Sequence, residues 1–517
     1  MSDVTDARLK HGLAQFLLIA LLTSLAVTQP LLDLLGQQAE FFVTYGMDRS
    51  SLLLFTLGLA IALPLITAVV PRLFAWIRPG LGNVVFQFLQ FFLWLLIYLP
   101  VASRVGLEGI PALALGGGLA AVCVIAWAAF YSARLMLYYL APAILVFPLF
   151  FLFSSKATEI VLPRPVATVS GQASATVETD VVFIVLDEFP LASLLTPEME
   201  IDRLRYPNFA RLADASVWFR GATAPSEITT DSVQVALSGL AFQEVHGALP
   251  IHANVPRNLF TLLAPSHEVT ALETSTLLCP ESTCRRERMA QYRIDFLARF
   301  SADLLLVYAH LVVPRPFSEN LASISHAWAG FGLRNKSPEE PLTEGRATDN
   351  AQLASRIKQQ EKWGNRAEEF RQFIDGIRNS GQPQLYYLHS LLPHSQWVYL
   401  PDGKTYIFNR ERVAFGIRPD DDPQRIYFHE WYKDSHAVNQ AWQRHLLQVQ
   451  FVDRLLGELL DKLSAEGLFD DALVVLMGDH GASFVPGLSR RGADERTLSD
   501  IAAVPLLIKF PGSLATG

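Results

Sequence analysis

What this 517-residue chain lacks already narrows its function. It has three cysteines and no CxxC pairing with another CxxC, so a structural zinc ribbon is excluded. It has no basic run, and 42 Lys and Arg against 50 Asp and Glu leave a net charge of −8, which gives nucleic-acid binding no support. No internal repeat is visible, so solenoids and propellers are set aside. Charged residues are few, 18% of the chain against 51% hydrophobic, and mean hydropathy is +0.26, high for a soluble protein. The length exceeds one ordinary domain.

The apolar excess is concentrated. Five stretches in the first third, at 13–35, 52–70, 84–101, 111–131 and 135–153, are each about long enough to cross a ~30 Å hydrocarbon layer as a helix. The first is too long for a cleaved signal peptide and lacks a small-residue exit. Arg8 and Lys10 precede the first stretch, Arg72 and Arg78 follow the second, and Arg134 follows the fourth, whereas the alternate loops carry Arg49, Arg104 and Lys156. This bias predicts a cytoplasmic amino terminus in the inner membrane and, after an odd number of crossings, an extracytoplasmic remainder beyond Lys156. Cys123 falls inside the fourth stretch and reads as a small packing residue. Cys279 and Cys284 are close enough to close a small disulfide loop, which an oxidising exterior allows.

Residues 154–180 shift to Ser, Thr, Ala, Val and Pro. The predicted organisation is a five-helix transmembrane domain over 1–155, a linker over 156–180 and a catalytic domain over 181–517. In that last domain strand-like segments (181–186, 384–389, 472–478 and 504–510) alternate with helical ones (207–215, 233–240 and the long amphipathic 436–464). Such alternation predicts an α/β domain with a mainly parallel central sheet. Residues 304–313 are apolar but too short to span and predict a buried or membrane-surface helix. The charged segment 339–372 reads as a solvated insertion.

Two of the strands end in acid pairs. Val181 to Leu186 runs into Asp187 and Glu188, and Ala472 to Gly478 runs into Asp479, His480 and Gly481. Chemistry in open α/β sheets sits beyond the carboxyl ends of such strands, and buried charges need compensation. Asp187, Glu188, Asp479 and His480 together form a hard oxygen set with one imidazole, suited to Zn²⁺, Mn²⁺ or another divalent ion such as Mg²⁺ or Ca²⁺. The competing reading makes Asp187 a helix cap and the second acid pair a turn. Between them lies the hydroxyl-rich Ser226 to Ser232 leading into a helix. A Thr at such an amino terminus serves either as an activated nucleophile or as a plain N-cap.

These motifs resemble the alkaline phosphatase superfamily: strand-LDE, a hydroxyl loop before a helix ending in SG, a strand with paired His, strand-GDHG, and VPLLIKFPG, which is similar to the sulfatase VPLIIRWPG. The chain most resembles sulfatase-like membrane enzymes, namely lipoteichoic acid synthase and the lipid A phosphoethanolamine transferases. The resemblance implies metal ligation by Asp187, Glu188, Asp479 and His480, with zinc the leading candidate, and a nucleophilic Thr229. It implies a catalytic His394, contacting the substrate phosphate or a second metal, and a substrate-binding His389; the two resemble the HxxxxH of the phosphoethanolamine transferases. It also implies transfer of a phospholipid head group to an envelope glycan or lipid acceptor, or to water in a hydrolase.

Two departures stand out. A formylglycine cannot be made from Thr, and no Cys, Pro or Arg completes C/S-x-P-S-R here, so sulfate-ester hydrolysis by that route is disfavoured. The His that follows DHG in the transferases is missing, and Arg490 and Arg491 stand in its neighbourhood as anion binders or as solvated surface charge. The chain also stops sooner after FPG than that family does, so the resemblance implies either a truncated sequence or the lack of a final helix.

Overall fold

Long apolar stretches satisfy their backbone groups internally only as helices, whereas short β-branched runs pair with one another as strands. Both outcomes occur in the computed structural model, which describes residues 2–130, 136, 139–163, 178–284, 293–321, 365–395, 397–405 and 430–512. The chain divides into two units, Met1–Arg164 with Tyr292–Pro338, and Pro165–Gln291 with Glu339–Gly517.

Among the described residues, the first unit holds four helices long and apolar enough to cross a membrane: Gly12–Gln37, Arg49–Ile77, Pro79–Arg104 and Gly109–Ala129. Their outward faces expose Leu54, Ile66, Leu73, Phe88, Ile110 and Val122, the kind of surface that suits lipid. The sequence predicts five spans. The fifth is represented by the 12-residue helix Ala143–Ser154, too short to cross on its own. Residues 131–135 and 137–138, which would extend it, lie outside the described residues. Cys123 packs in the fourth helix with its sulfur 3.2 Å from the Tyr98 hydroxyl.

The apolar run at 304–313 belongs to the helix Arg293–Val312, which joins this first unit rather than the catalytic domain that the sequence extends over 181–517. Phe300 packs in an aromatic cluster with Phe41, Tyr45 and Phe55, and the Tyr308 hydroxyl donates to Ala26 O at 2.8 Å. Within the predicted linker a short helix, Thr158–Val161, buries Ile160 and Val161, and residues 164–177 lie outside the described residues.

The second unit is built on a six-stranded sheet of β1 (Val181–Asp187), β2 (Val217–Trp218), β3 (Glu268–Leu272), β4 (Gln384–Pro393), β5 (Leu473–Gly478) and β6 (Leu506–Lys509). The order is β2-β6-β5-β1-β4-β3. β3, β4, β1 and β5 run parallel, β6 joins β5 antiparallel so the predicted 504–510 strand has reversed direction, and the short β2 lies at the edge, antiparallel to β6. β1 is central, and its alternate residues serve two cores. Val182, Ile184 and Leu186 pack with Val449, Val452, Leu455 and Leu459 of the long helix Ser435–Ala465. Val181 and Val185 face the other way, toward Val233 and Leu237 of the helix Thr229–Ser238. This is helix, sheet, helix layering, with the carboxyl ends of β1, β4 and β5 at one edge. The predicted solvated insertion is only partly described. Its described end is the helix Asn365–Gly376, whose Phe370, Phe373 and Ile374 are buried in the core.

Candidate active site

β1 ends at a register irregularity between Leu186 and Asp187, and the next residue, Glu188, adopts a left-handed φ of 57°. That conformation is uncommon for a side chain with a Cβ and persists only where surroundings fix it. Here it sends two consecutive carboxylates to different neighbours. Asp187 turns toward Thr229 and His480, and Glu188 toward two arginines.

β5 delivers the partners. Asp479 Oδ1 accepts from the backbone N–H groups of Glu188 at 2.9 Å and His480 at 2.6 Å. Its other oxygen, Oδ2, is buried with no partner among the described residues. His480 Nδ1 lies 2.8 Å from Gly481 O. A carbonyl only accepts, so Nδ1 carries the proton and the Nε2 lone pair is free. Nε2 lies 3.2 Å from Thr229 Oγ1, 3.7 Å from Asp479 Oδ2 and 3.8 Å from Asp187 Oδ1. Gly481 is required by space: a Cβ there would sit 2.0 Å from Asp500 O.

Thr229 is the first residue of its helix, and Ile228, without a capping side chain, is the N-cap. The plain N-cap role is therefore not the one Thr229 plays. Its hydroxyl instead donates to Asp187 Oδ1 at 3.4 Å, at the positive end of the helix. Gly239, at φ 69°, ends the helix, as the SG motif predicts.

His389 on β4 is fully buried and comes close to the same acids. Ligand atoms of Asp187, His389 and Asp479 all lie within 4.8 Å of one another. His389 Nε2, like Asp479 Oδ2, has no partner among the described residues. Burial pushes His389 and His480 each down to about 3, so both are neutral. Burial raises Asp187 to about 6, with Arg491 pulling the other way, and burial followed by repulsion from Asp187 raises Asp479 well above its usual range. Two buried acids that resist ionising together, two neutral imidazoles and a hydroxyl form a mixed N/O donor set. It fits a divalent cation, whose charge would reverse the penalty on the carboxylates.

Glu188, which the sequence groups with the metal ligands, is engaged elsewhere. Arg490 Nη1 donates to its Oε1 and Arg491 Nε to its Oε2 at 3.1 Å, while His394 Nε2 lies 3.2 Å from Oε2. Burial opposes its charge, but Arg490, His394 and Arg491 outweigh burial and hold its carboxyl well below the ordinary range. Arg490 and Arg491 are themselves buried, which discards the solvated-surface reading, and Arg491 Nη2 reaches within 3.7 Å of Asp187 Oδ1. His394 keeps 16% of its side chain exposed, and burial holds it well below its ordinary value against the pull of Glu188.

Several supporting residues carry no local sequence signal. Arg366 donates to His394 O at 2.8 Å and Ser395 O at 3.1 Å, and Gln448 Nε2 donates to Pro393 O and His394 O, each at 3.0 Å. These two side chains shape the turn after β4. Cys279 and Cys284 are joined by a disulfide in the loop after β3.

Residues 328–516 match the Sulfatase family model. That match takes in β4, β5 and β6, so the sheet of the second unit is sulfatase-like. Among solved structures, the sulfatase-like domain is similar to the phosphonate monoester hydrolase of Agrobacterium radiobacter, at 16% identity and TM-score 0.35 over 65% of this chain and 68% of that one. It is also similar to a 2-O GAG sulfatase, at 12% identity and TM-score 0.35. The chain spans 65% of the length of that sulfatase, with 65% of its own length covered. No curated protein matches the chain.

Proposed function

We propose that this is a membrane-anchored, metal-dependent phosphotransferase. It would move the head group of a membrane phospholipid, of the phosphoethanolamine or phosphoglycerol type, to a hydroxyl acceptor in the envelope by way of a phosphorylated Thr229. The observation that carries this reading is the Thr229 hydroxyl, set 3.4 Å from Asp187 Oδ1 and 3.2 Å from His480 Nε2 at a helix amino terminus. Asp187 and Asp479 would hold the cation together with His389 and His480. When bound, a dication of the zinc or manganese type neutralises phosphoryl oxygens and lowers the pKa of a neighbouring hydroxyl.

The residues divide the remaining work. Thr229 Oγ1 forms the new bond to phosphorus as the bond to the diacylglycerol oxygen breaks. Asp187 Oδ1 is the acceptor within reach of its proton, whereas the His480 Nε2 lone pair would be committed to the cation. His394, the partly exposed imidazole, is suited to relay that proton to the leaving oxygen and to take one from the acceptor hydroxyl in the second step. Arg491, fixed by Glu188, supplies a cationic edge for the phosphoryl group. The apolar helices would keep the site near a donor that stays in the bilayer. An extracytoplasmic position is supported by the Arg and Lys bias and by the disulfide.

The sulfatase family match favours a second reading, in which water resolves the intermediate and the enzyme is a phosphodiesterase. Incubation with head-group-labelled phospholipid tests both. Diacylglycerol release that depends on Thr229 supports the shared mechanism, with label on an acceptor for the transferase and free label for the hydrolase. Unchanged diacylglycerol release by Thr229→Ala rejects the mechanism.

A further inference from the structure

His389 has one ring nitrogen occupied and one open. Nδ1 lies 2.6 Å from Thr274 Oγ1 and 3.4 Å from Ser275 Oγ, whereas Nε2 is buried, without a partner among the described residues, beside Asp187 and Asp479. A hydroxyl both donates and accepts, so two tautomers are available. If Thr274 donated to Nδ1, the proton would sit on Nε2 as a buried N–H with no acceptor, a state that costs about 1–3 kcal/mol. If Nδ1–H donates to Thr274, Nε2 presents a lone pair toward the two carboxylates. The second arrangement is the one a cation needs.

The loop that carries Thr274 is built to hold it there. It leaves β3 directly beside β4, where Leu272 stands in register with Leu388, the residue before His389. Glu273 gathers the loop: its carboxylate accepts from Thr276 Oγ1 at 2.7 Å, Leu278 N at 2.8 Å and Cys279 N at 3.1 Å. The Cys279–Cys284 disulfide closes the loop five residues on, and Cys284 bridges back to Val269 of β3.

We propose that Thr274, backed by Ser275, is a positioning residue that sets the His389 tautomer and turns its Nε2 into a ligand for the cation of the active site. The proposal rests on the reading of Asp187, Asp479 and His389 as a metal centre. Outer hydrogen bonds of this kind fix ring orientation and ligand basicity, and their loss weakens metal binding by roughly tenfold to a hundredfold.

The test is chelator competition with Zn²⁺ or Mn²⁺ on the full-length protein in detergent, stripped of metal beforehand. The double variant Thr274→Val, Ser275→Ala is expected to raise the metal Kd by about tenfold or more. Thr274→Ser should restore binding, because it keeps the oxygen. The single Thr274→Val should give a smaller loss, and it serves in place of the double variant if that fails to fold. His389→Ala should weaken binding at least as much as the double variant. Metal affinity in the Thr274 variants equal to wild type, with His389→Ala impaired, overturns the proposal and leaves the metal centre standing. A wild-type protein that binds neither dication overturns both.

Discussion

Glu188 offers a sharp perturbation because its sequence position and its surroundings point to different roles. Its position beside Asp187 makes it a metal ligand, whereas its contacts make it the anchor of Arg490 and Arg491. Glu188→Gln removes the charge at constant volume. Both guanidiniums then remain buried with their shared counter-charge gone, a loss that runs to about 3–5 kcal/mol when one partner of a buried pair is removed. At roughly 2–3 °C per kcal/mol for a domain of this size, the thermal midpoint in detergent should fall by about 6–15 °C. Metal affinity, measured by chelator competition, should stay within about twofold of wild type, because the Glu188 N–H that supports Asp479 is retained. A variant with unchanged midpoint and metal affinity weakened by about a hundredfold or more would show that Glu188 ligates the cation and would refute the anchor role.

Other expectations follow from the same geometry. Asp187, raised by burial to about 6, and Asp479, raised further, each contribute stability to metal-free protein below the unfolded carboxylate value near ~4, and that stability is lost as pH rises through the folded value. The metal-free midpoint should therefore climb as pH drops from about 7.5 to 5, and saturating Zn²⁺ should flatten the profile; a metal-free midpoint that falls over this window contradicts the assignment. Glu188, shifted the opposite way, acts only below that window. Replacing Cys279 and Cys284 with Ser should cost about 2 kcal/mol by loop entropy, read as a lower midpoint in the absence of reductant. Asp453→Ala removes the acceptor for Asn208 N and Phe209 N at the start of the helix Pro207–Asp214, and should cost about 1–2 kcal/mol by thermal melt with metal affinity unchanged.

Much of this architecture is legible in the sequence because β-branched runs and helical periodicity are strong local signals. Residues 181–186 and 472–478 form β1 and β5, and the amphipathic 436–464 forms Ser435–Ala465, within a residue or two of the predicted bounds. β3 escapes because Glu268 and Thr270 interrupt its apolar pattern; it is specified by pairing with β4. The Asp187, Asp479 and His480 grouping follows from strand ends, whereas Thr229 is singled out by the family resemblance. Neighbouring carboxylates cannot be told apart in this way. A single left-handed φ at Glu188 sends one to the arginines and one to the nucleophile, and nothing in the LDE motif announces it. The pairing of His389 with Thr274, and of His394 O with Arg366 and Gln448, joins distant segments, so no local spacing relates them. The helix Arg293–Val312 is apolar enough to be noticed, but its place in the first unit depends on tertiary contacts.

In the proposed mechanism Thr229 becomes covalently phosphorylated by a membrane lipid. Intact mass spectrometry of the metal-loaded, full-length protein after incubation with phosphatidylethanolamine or phosphatidylglycerol reads that directly. An added mass equal to the phosphorylated head group, mapped by fragmentation to Thr229 and absent from Thr229→Ala, is the predicted result. Head-group transfer or hydrolysis that proceeds undiminished in Thr229→Ala, with no adduct on the wild-type protein, would contradict it.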